Sequence, residues 1–385
     1  MGSLSQLSGS SSGSGIAFIT KLKTIPYVMV LFIVSIVSLG GAALYSAAGG
    51  EFYQWADKHF LRFSLLFIMM FVIAIIPLKY WYYTSYPLWA VGIVLLVVVE
   101  AMGHVGMGAQ RWINLGFMNL QPSELMKIAV VMALAKYFHD LNSGRIRQLA
   151  SLIIPCGLIG LPMGLVMLQP DLGTALMIAM AGICVLFLAG IPMWIFVTGA
   201  VSVSAAIPLI YQYVLKDYQR ARVDTFLDPS RDPMGAGYHV TQSKIAIGSG
   251  GWDGKGYLEG TQARLNFLPE KHTDFIFTLW AEEQGFLGGL FVIGLYIATF
   301  ILGGVYALQS RYVYSRLLAF GLIVNLSLYV MINTGMVMGV LPVVGVPMPL
   351  VSYGGSAMLS ALICYGLIIC VKIHKGQSMP KGGEI

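Results

Sequence analysis

Seven ionisable side chains lie within or against long apolar stretches of this sequence: Glu100, Glu124, Lys127, Asp171, Asp274, Glu282 and Glu283. A charge in hydrocarbon is expensive, so each needs a partner, a wet cavity or a role. Glu124 and Lys127 stand three apart at the start of an apolar run, where they share a helix face and can pair. Spacing leaves a structural ion pair and a functional pair equally open. Asp171 opens an apolar run in LQPDLGT, and its simplest use is to cap the free N–H groups of a helix. Asp274, with Thr273, precedes the run FIFTLWAEE and follows Glu270, Lys271 and His272. A polar cluster of that density at a membrane boundary suits a helix cap, a binding site or general-base chemistry, with His272 as a further titrating group. Glu282 and Glu283 come two turns later, roughly 12 Å deeper. At that depth at least one carboxylate must face protein or water. A buried carboxylate bonded to neighbouring helices is the plainer reading, and a proton or ion path is the other.

The elements that must position these residues are membrane helices. Of 385 residues, 57% are hydrophobic and 10% are charged, against about 25% charged in soluble proteins. Apolar stretches near 25–47, 62–79, 86–103, 122–140, 148–168, 173–190, 193–213, 275–307, 315–337 and 353–372 approach or exceed the roughly 20 residues that span a bilayer. The fold class expected is therefore all-α, a polytopic integral membrane protein of about ten transmembrane helices with a large extracytoplasmic loop. The stretch 275–307 is long enough to be tilted, kinked or partly outside the bilayer. An even number of spans puts both termini on one side. With the N-terminus inside, Lys21, Lys23, Lys79, Lys136, Arg145, Arg147, Arg311, Arg316, Lys372, Lys375 and Lys381 fall in cytoplasmic segments. The short outer loops hold little beyond Lys58, Lys127 and the pair Arg62 and Arg111, so the bias places both ends in the cytoplasm. Residues 1–20 are Ser/Gly-rich and read as a flexible tail, 21–375 as one membrane domain, and 376–385 as a cytoplasmic tail. Cys156, Cys184, Cys364 and Cys370 sit in apolar runs without CxxC spacing and read as packing residues.

The segment 214–274 is the large outward loop. About sixty residues is long for a mere connection, and long loops carry function. Gly235–Ile247 has the pattern of a short amphipathic helix along the membrane surface. The stretch GSGGWDGKG is no phosphate loop, because Ser249 and Gly256 stand where that loop needs Gly and Ser or Thr; a flexible turn is expected. Two function classes fit an outward polar site, an enzyme using a lipid-linked substrate and a transporter. A transporter would be favoured by an internal repeat with matched broken helices, and the halves show no clear self-similarity.

Four blocks closely resemble the SEDS family of bacterial cell-wall proteins (shape, elongation, division and sporulation): Gly108–Lys127 (GAQRWINLGFMNLQPSELMK), Gln169–Thr174 (QPDLGT), Phe226–Phe277 and Leu341–Ser356 (LPVVGVPMPLVSYGGS). Within the family, QSKIAIGSGGWDGKG, GTQARLNFLPE and PVVGVPMP look like the elongation type rather than the division type. The resemblance implies a peptidoglycan glycosyltransferase of the bacterial cytoplasmic (inner) membrane that polymerises lipid II into glycan strands. It implies a class B penicillin-binding protein as partner, besides membrane lipids, and no nucleic acid. Lipid II flipping is the alternative.

Lipid II carries its sugar through an α-linked diphosphate and the product is β-linked, so the reaction inverts the anomeric carbon. It needs one base for the acceptor hydroxyl and positive charge, from side chains or a metal, on the leaving diphosphate. Asp274 matches the family's essential aspartate and is the expected base or metal-binding carboxylate. A divalent cation, magnesium or manganese, is the cofactor that chemistry admits, with no organic cofactor. Arg111, Lys127 and Lys271 are the expected diphosphate ligands. Glu124, Asp171 and Trp112 also match positions important in the family, and Ser352, with Gly354 and Gly355, is expected to shape the cavity wall.

Overall fold

The computed structural model describes residues 24–102, 104–106, 109–114, 119–141, 143–146, 148–228, 235–261 and 270–380. The expected tail of 1–20, with Lys21, Lys23, Arg147 and Lys381, lies outside the described residues. Ten helices stand where the apolar stretches place them. They are α1 (Tyr27–Ala47), α2 (Ala56–Ile75), α3 (Leu78–Met102), α4 (Pro122–Asp140), α5 (Ile153–Leu168), α6 (Leu172–Leu188), α7 (Met193–Leu209), α10 (Ile276–Leu308), α11 (Val313–Val337) and α12 (Gly355–Ile373). Two more, α8 (Asp217–Leu227) and α9 (Ala236–Gly250), belong to the large loop. Eight of the ten, α5 and α7 together with the turns that extend them to Leu149 and Tyr213, are long and apolar enough to cross a membrane. Of the other two, α6 is apolar but has 17 residues, and α4 carries Glu124 and Lys127 inside its first turns.

The second and third spans start earlier than hydropathy suggests. α2 begins at Ala56 and takes in Asp57, Lys58, His59 and Arg62, while α3 begins at Leu78 after a turn at Pro77. Long charged side chains reach the interface from the end of a helix, so a hydropathy window trims turns that the backbone keeps. Short strands β1 (His104–Gly106), β2 (Ala109–Asn114) and β3 (Asn119–Leu120) form an antiparallel sheet between α3 and α4. No apolar run signals them.

α11 stands at the centre, packed against α4, α6, α10 and α12, and α12 lies along α2. α4 and α12 are buried over most of their length, as expected of inner helices in a bundle. α7 has no buried residue and ends in a π-helical turn, Ile210–Val214, just after Pro208. Proline removes a helix hydrogen bond and widens the local turn.

α10 has 33 residues, about 50 Å at 1.5 Å per residue, against a hydrocarbon core of about 30 Å. The excess is resolved by a kink at Gly285, whose φ of 67° and ψ of −166° are not helical. The short part before the kink is buried over Ile276–Glu283, and the longer part after it faces outward at Phe286, Leu287, Leu290 and Phe291. Across the kink lies the segment 251–261. Lys255 and Gly256 donate their backbone N–H groups to Glu282 O and Glu283 O, while Phe286 and Leu287 donate to Gly251 O and Trp252 O. The expected flexible turn is thus a strap that supplies the partners the broken helix lacks. The expected surface helix is found as α9, but it is packed on α10: Ser243 is buried and bonds Thr278 Oγ1 at 2.6 Å and Val337 O at 2.8 Å.

Candidate functional site

The ends of antiparallel helices bring distant carboxylates to one end of the bundle. Glu124 and Lys127 sit in the first turns of α4, Asp171 caps α6, Asp274 stands just before α10, and Ser352 just before α12. α11 joins them. Tyr329 reaches the Glu124–Lys127 pair, while Asn333 donates to both Asp274 O and Val346 O at 2.8 Å. Tyr329 and Asn333 are four apart on one helix face, so the residues that reach the ion pair and the Asp274 segment leave α11 about 6 Å, one turn, apart.

Asp274 itself is held by its backbone and left open at its side chain. Phe275, not Asp274, is the cap residue of α10, and no side chain caps that helix. Among the described residues the Asp274 carboxylate has no hydrogen-bond partner. Gly345 lies against it: a Cβ there would come 3.4 Å from Asp274 Oδ2, and its φ of 77° already demands glycine. The carboxyl is half-buried, and its pKa is raised to about 6 by burial first and by the Glu270 charge second, with Arg222 opposing both. It titrates near neutrality as a general base should.

His272 and Lys271 flank the carboxylate. The His272 ring stacks flat on Trp55, with centroids 4.6 Å apart, and lies 6.0 Å from Tyr353. Tyr353 N donates to His272 O at 2.9 Å, and the Arg62 guanidinium covers the Tyr353 ring at 4.7 Å. Burial lowers the His272 pKa, with Lys271 also lowering and Glu270 raising it, so the ring is neutral at physiological pH. The Lys271 pKa is likewise lowered by burial. Ser352 is buried and accepts from Met348 N at 2.8 Å, closing the turn that presents Tyr353. It shapes the wall through that turn.

The other expected residues are already paired. Lys127 is 1% exposed; its ammonium bonds Glu124 Oε1 at 2.7 Å and also Tyr329 Oη, and Tyr329 in turn donates to Glu124 Oε2. Asp171 caps α6 through Thr174 N at 3.1 Å and Thr174 Oγ1 at 2.9 Å, and accepts from Gln121 Nε2 at 3.2 Å. Arg111, on β2, donates from Nε to Gln169 O at 3.0 Å and also reaches Pro170 O, with its other Nη 3.7 Å from Asp171. Trp112 lies half-buried beside it. Glu282 and Glu283 take their partners mainly from the strap. Glu282 binds Lys255 at 2.7 Å and Thr261 N at 2.9 Å, and Glu283 accepts from Ser46 Oγ.

Sequence reasoning missed Arg222, Trp55, Tyr329 and Asn333. Their contacts to the site are non-local, and only the placement of Tyr329 and Asn333 four apart on an apolar helix hints at a shared polar face. Among the described residues no group of three His, Cys, Asp or Glu side chains is placed to hold a metal ion.

A family model described as cell cycle protein, FTSW_RODA_SPOVE, matches residues 19–377. The peptidoglycan glycosyltransferase MrdB of Escherichia coli K12 is 41% identical over 348 residues, covering 90% of this chain and 93% of that protein. The probable peptidoglycan glycosyltransferase FtsW of Coxiella burnetii is 38% identical over 322 residues, covering 82% and 86%. Among solved structures, a chain described under structural coordination of polymerization and crosslinking by a peptidoglycan synthase complex superposes with a TM-score of 0.82 at 31% identity, covering 92% of this chain and 99% of that one. The Thermus thermophilus rod shape determining protein RodA superposes with a TM-score of 0.69 at 26% identity, covering 92% and 98%.

Proposed function

The chain belongs to the FtsW/RodA/SpoVE family of cell cycle proteins, and on that premise we propose that it is a peptidoglycan glycosyltransferase of the elongation type that polymerises lipid II. The observation that carries the reading is the open Asp274 carboxylate, half-buried, with a pKa near 6 and a cation nearby. The higher identity to MrdB than to FtsW, and the likeness to RodA, support the elongation type.

In the reaction the acceptor's 4-hydroxyl oxygen attacks the anomeric carbon of the donor sugar. The new carbon–oxygen bond forms as the bond to the α-diphosphate breaks on the opposite side, and the configuration inverts to β. Asp274 takes the hydroxyl proton, and the electron pair leaves on the diphosphate. That leaving group is a weak base, so no general acid is required and one carboxylate suffices, unlike the pair of a glycoside hydrolase. The neutral His272 ring and Trp55 fix the Asp274 segment from one side, and Asn333 fixes it from below. A divalent magnesium or manganese ion is proposed only as an ion whose ligands come mostly from the substrate's diphosphate, as hard cations are often held.

The membrane proposed is the bacterial inner membrane, with both termini in the cytoplasm and the Asp274 end facing outward. A class B penicillin-binding protein is the proposed partner, supported by the likeness to a chain of a peptidoglycan synthase complex. The test is purified chain, alone and with that partner co-expressed, incubated with labelled lipid II and read as glycan length on a gel. Ladders of polymer are expected. Lipid II crossing the bilayer of proteoliposomes, with no polymer under any condition, would replace the reading by transport.

A further inference from the structure

Two of the three cations expected to hold the diphosphate are neutralised inside the fold, Lys127 by Glu124 and Arg111 beside Asp171. Two others are not. Arg222 on α8 and Lys244 on α9 line a single pocket walled by Phe226, Val240, Leu341 and Pro342. Both are exposed, and neither has a carboxylate partner among the described residues. The Lys244 stem crosses Gly339, where a Cβ would stand 2.0 Å from its Cε, so the side chain is aimed along the pocket wall.

The pocket and Asp274 share a wall. Val343 lines the pocket, and Gly345, two residues on, lies against the Asp274 carboxylate. Two residues of chain reach at most about 7 Å. Arg222 is close enough for its charge to act on Asp274 as well. An in-line displacement needs this separation: base on one side of the anomeric carbon, phosphates on the other, with a sugar ring between them. Two cations from separate helices match the charge of a diphosphate, and the apolar walls match the first units of a lipid chain.

We propose that Arg222 and Lys244 form a diphosphate subsite that holds the lipid-linked leaving group while Asp274 addresses the acceptor hydroxyl. The proposal rests on the glycosyltransferase reading, and the two are tested apart. Binding is measured on full-length Asp274→Asn chain in nanodiscs, where no turnover is expected, with farnesyl diphosphate as the probe and farnesyl monophosphate and phosphatidylglycerol as competitors. Farnesyl diphosphate is expected to bind at least tenfold more weakly after Arg222→Gln or Lys244→Gln, and Arg222→Lys is expected to recover part of the loss. Farnesyl monophosphate is expected to compete poorly. In otherwise unaltered chain the same Gln substitutions should raise the lipid II KM at least tenfold. Unchanged probe affinity in the double Gln variant would overturn the subsite. Equal displacement by phosphatidylglycerol would assign the pocket to lipid headgroups and overturn it too. Probe binding lost on the Gln changes, in a chain that never polymerises lipid II, would keep the subsite and remove the glycosyltransferase reading.

Discussion

At the residue scale, Asp274 separates two uses of a carboxylate by its lack of partners. A helix cap tolerates Asn, whereas a base does not. Asp274→Asn should therefore abolish polymerisation as fully as Asp274→Ala, with expression and partner binding unchanged. An active Asn variant would return the search to Asp171 or Glu124. With a pKa raised to about 6, the base is protonated and idle at pH 5. kcat/KM for lipid II should rise about tenfold per pH unit below 6 and level off above 7. The shift also carries a stability sign. The folded chain holds this proton more tightly than the unfolded chain, so stability is present at low pH and is lost as pH rises through 6. Asp274→Asn should accordingly melt higher than the parent at pH 8, by less at pH 5, and equal it only below the ordinary carboxyl value of 3.8, where both states hold the proton.

The Glu124–Lys127–Tyr329 group poses the opposite case, a charge pair with every partner in place. Removing one member leaves a buried charge and costs about 3–5 kcal/mol, whereas removing both for apolar groups is close to neutral. Lys127→Met alone should lower the melting temperature strongly, and Lys127→Met with Glu124→Leu should restore it. Polymerisation by the restored double variant, read on the same gel, would make the pair structural; a stable but inactive double variant would place it in substrate handling.

At the element scale, the kink in α10 and the strap across it act as one unit. Gly285 has a φ of 67°, and a Cβ there would come 2.4 Å from Gly254 N. Gly285→Ala should expel the strap, leave the Glu282 and Glu283 carboxylates without their covering partners, and loosen the chain that leads to Asp274. Limited proteolysis is the measurement: cleavage within 251–261 should become fast in the variant and stay slow in the parent. Equal cleavage in both would mean that the strap is held by something other than the broken helix.

At the scale of the whole molecule, the antiparallel order of the membrane helices gathers the polar helix ends into one cluster, and the proposed orientation, which rests on the lysine and arginine bias, faces that end outward. The side is checked by labelling with an impermeant maleimide in intact cells, using Asp253→Cys in the strap and Gly376→Cys near the C-terminus. Both positions are exposed; Gly254, packed on the Glu283 backbone, is unsuitable. Only the first should label. Labelling of the second alone would invert the protein in the membrane.

Hydropathy by itself placed the ten long apolar helices, because about twenty apolar residues have one stable solution in lipid, and it found α10 long enough to be tilted or kinked. Local motif also placed Asp274 in a polar cluster, since Glu270, Lys271, His272 and Thr273 are its neighbours in sequence. What lay beyond the sequence was everything carried by contacts between distant segments. α8, the β-strands and the strap have no apolar period to announce them, and α2 and α3 hide their charged first turns from a hydropathy window. The pairing of Lys127 with Glu124 could be read from their spacing, but Tyr329 on α11, which completes it, and the carbonyls at the end of α5 that hold Arg111 could not. Arg222 and Lys244 gain their place near Asp274 only when α8 and α9 fold back over the 339–346 segment. Charge can be counted along a chain, but whether a charge is already neutralised depends on which helices touch, and packing alone decides that.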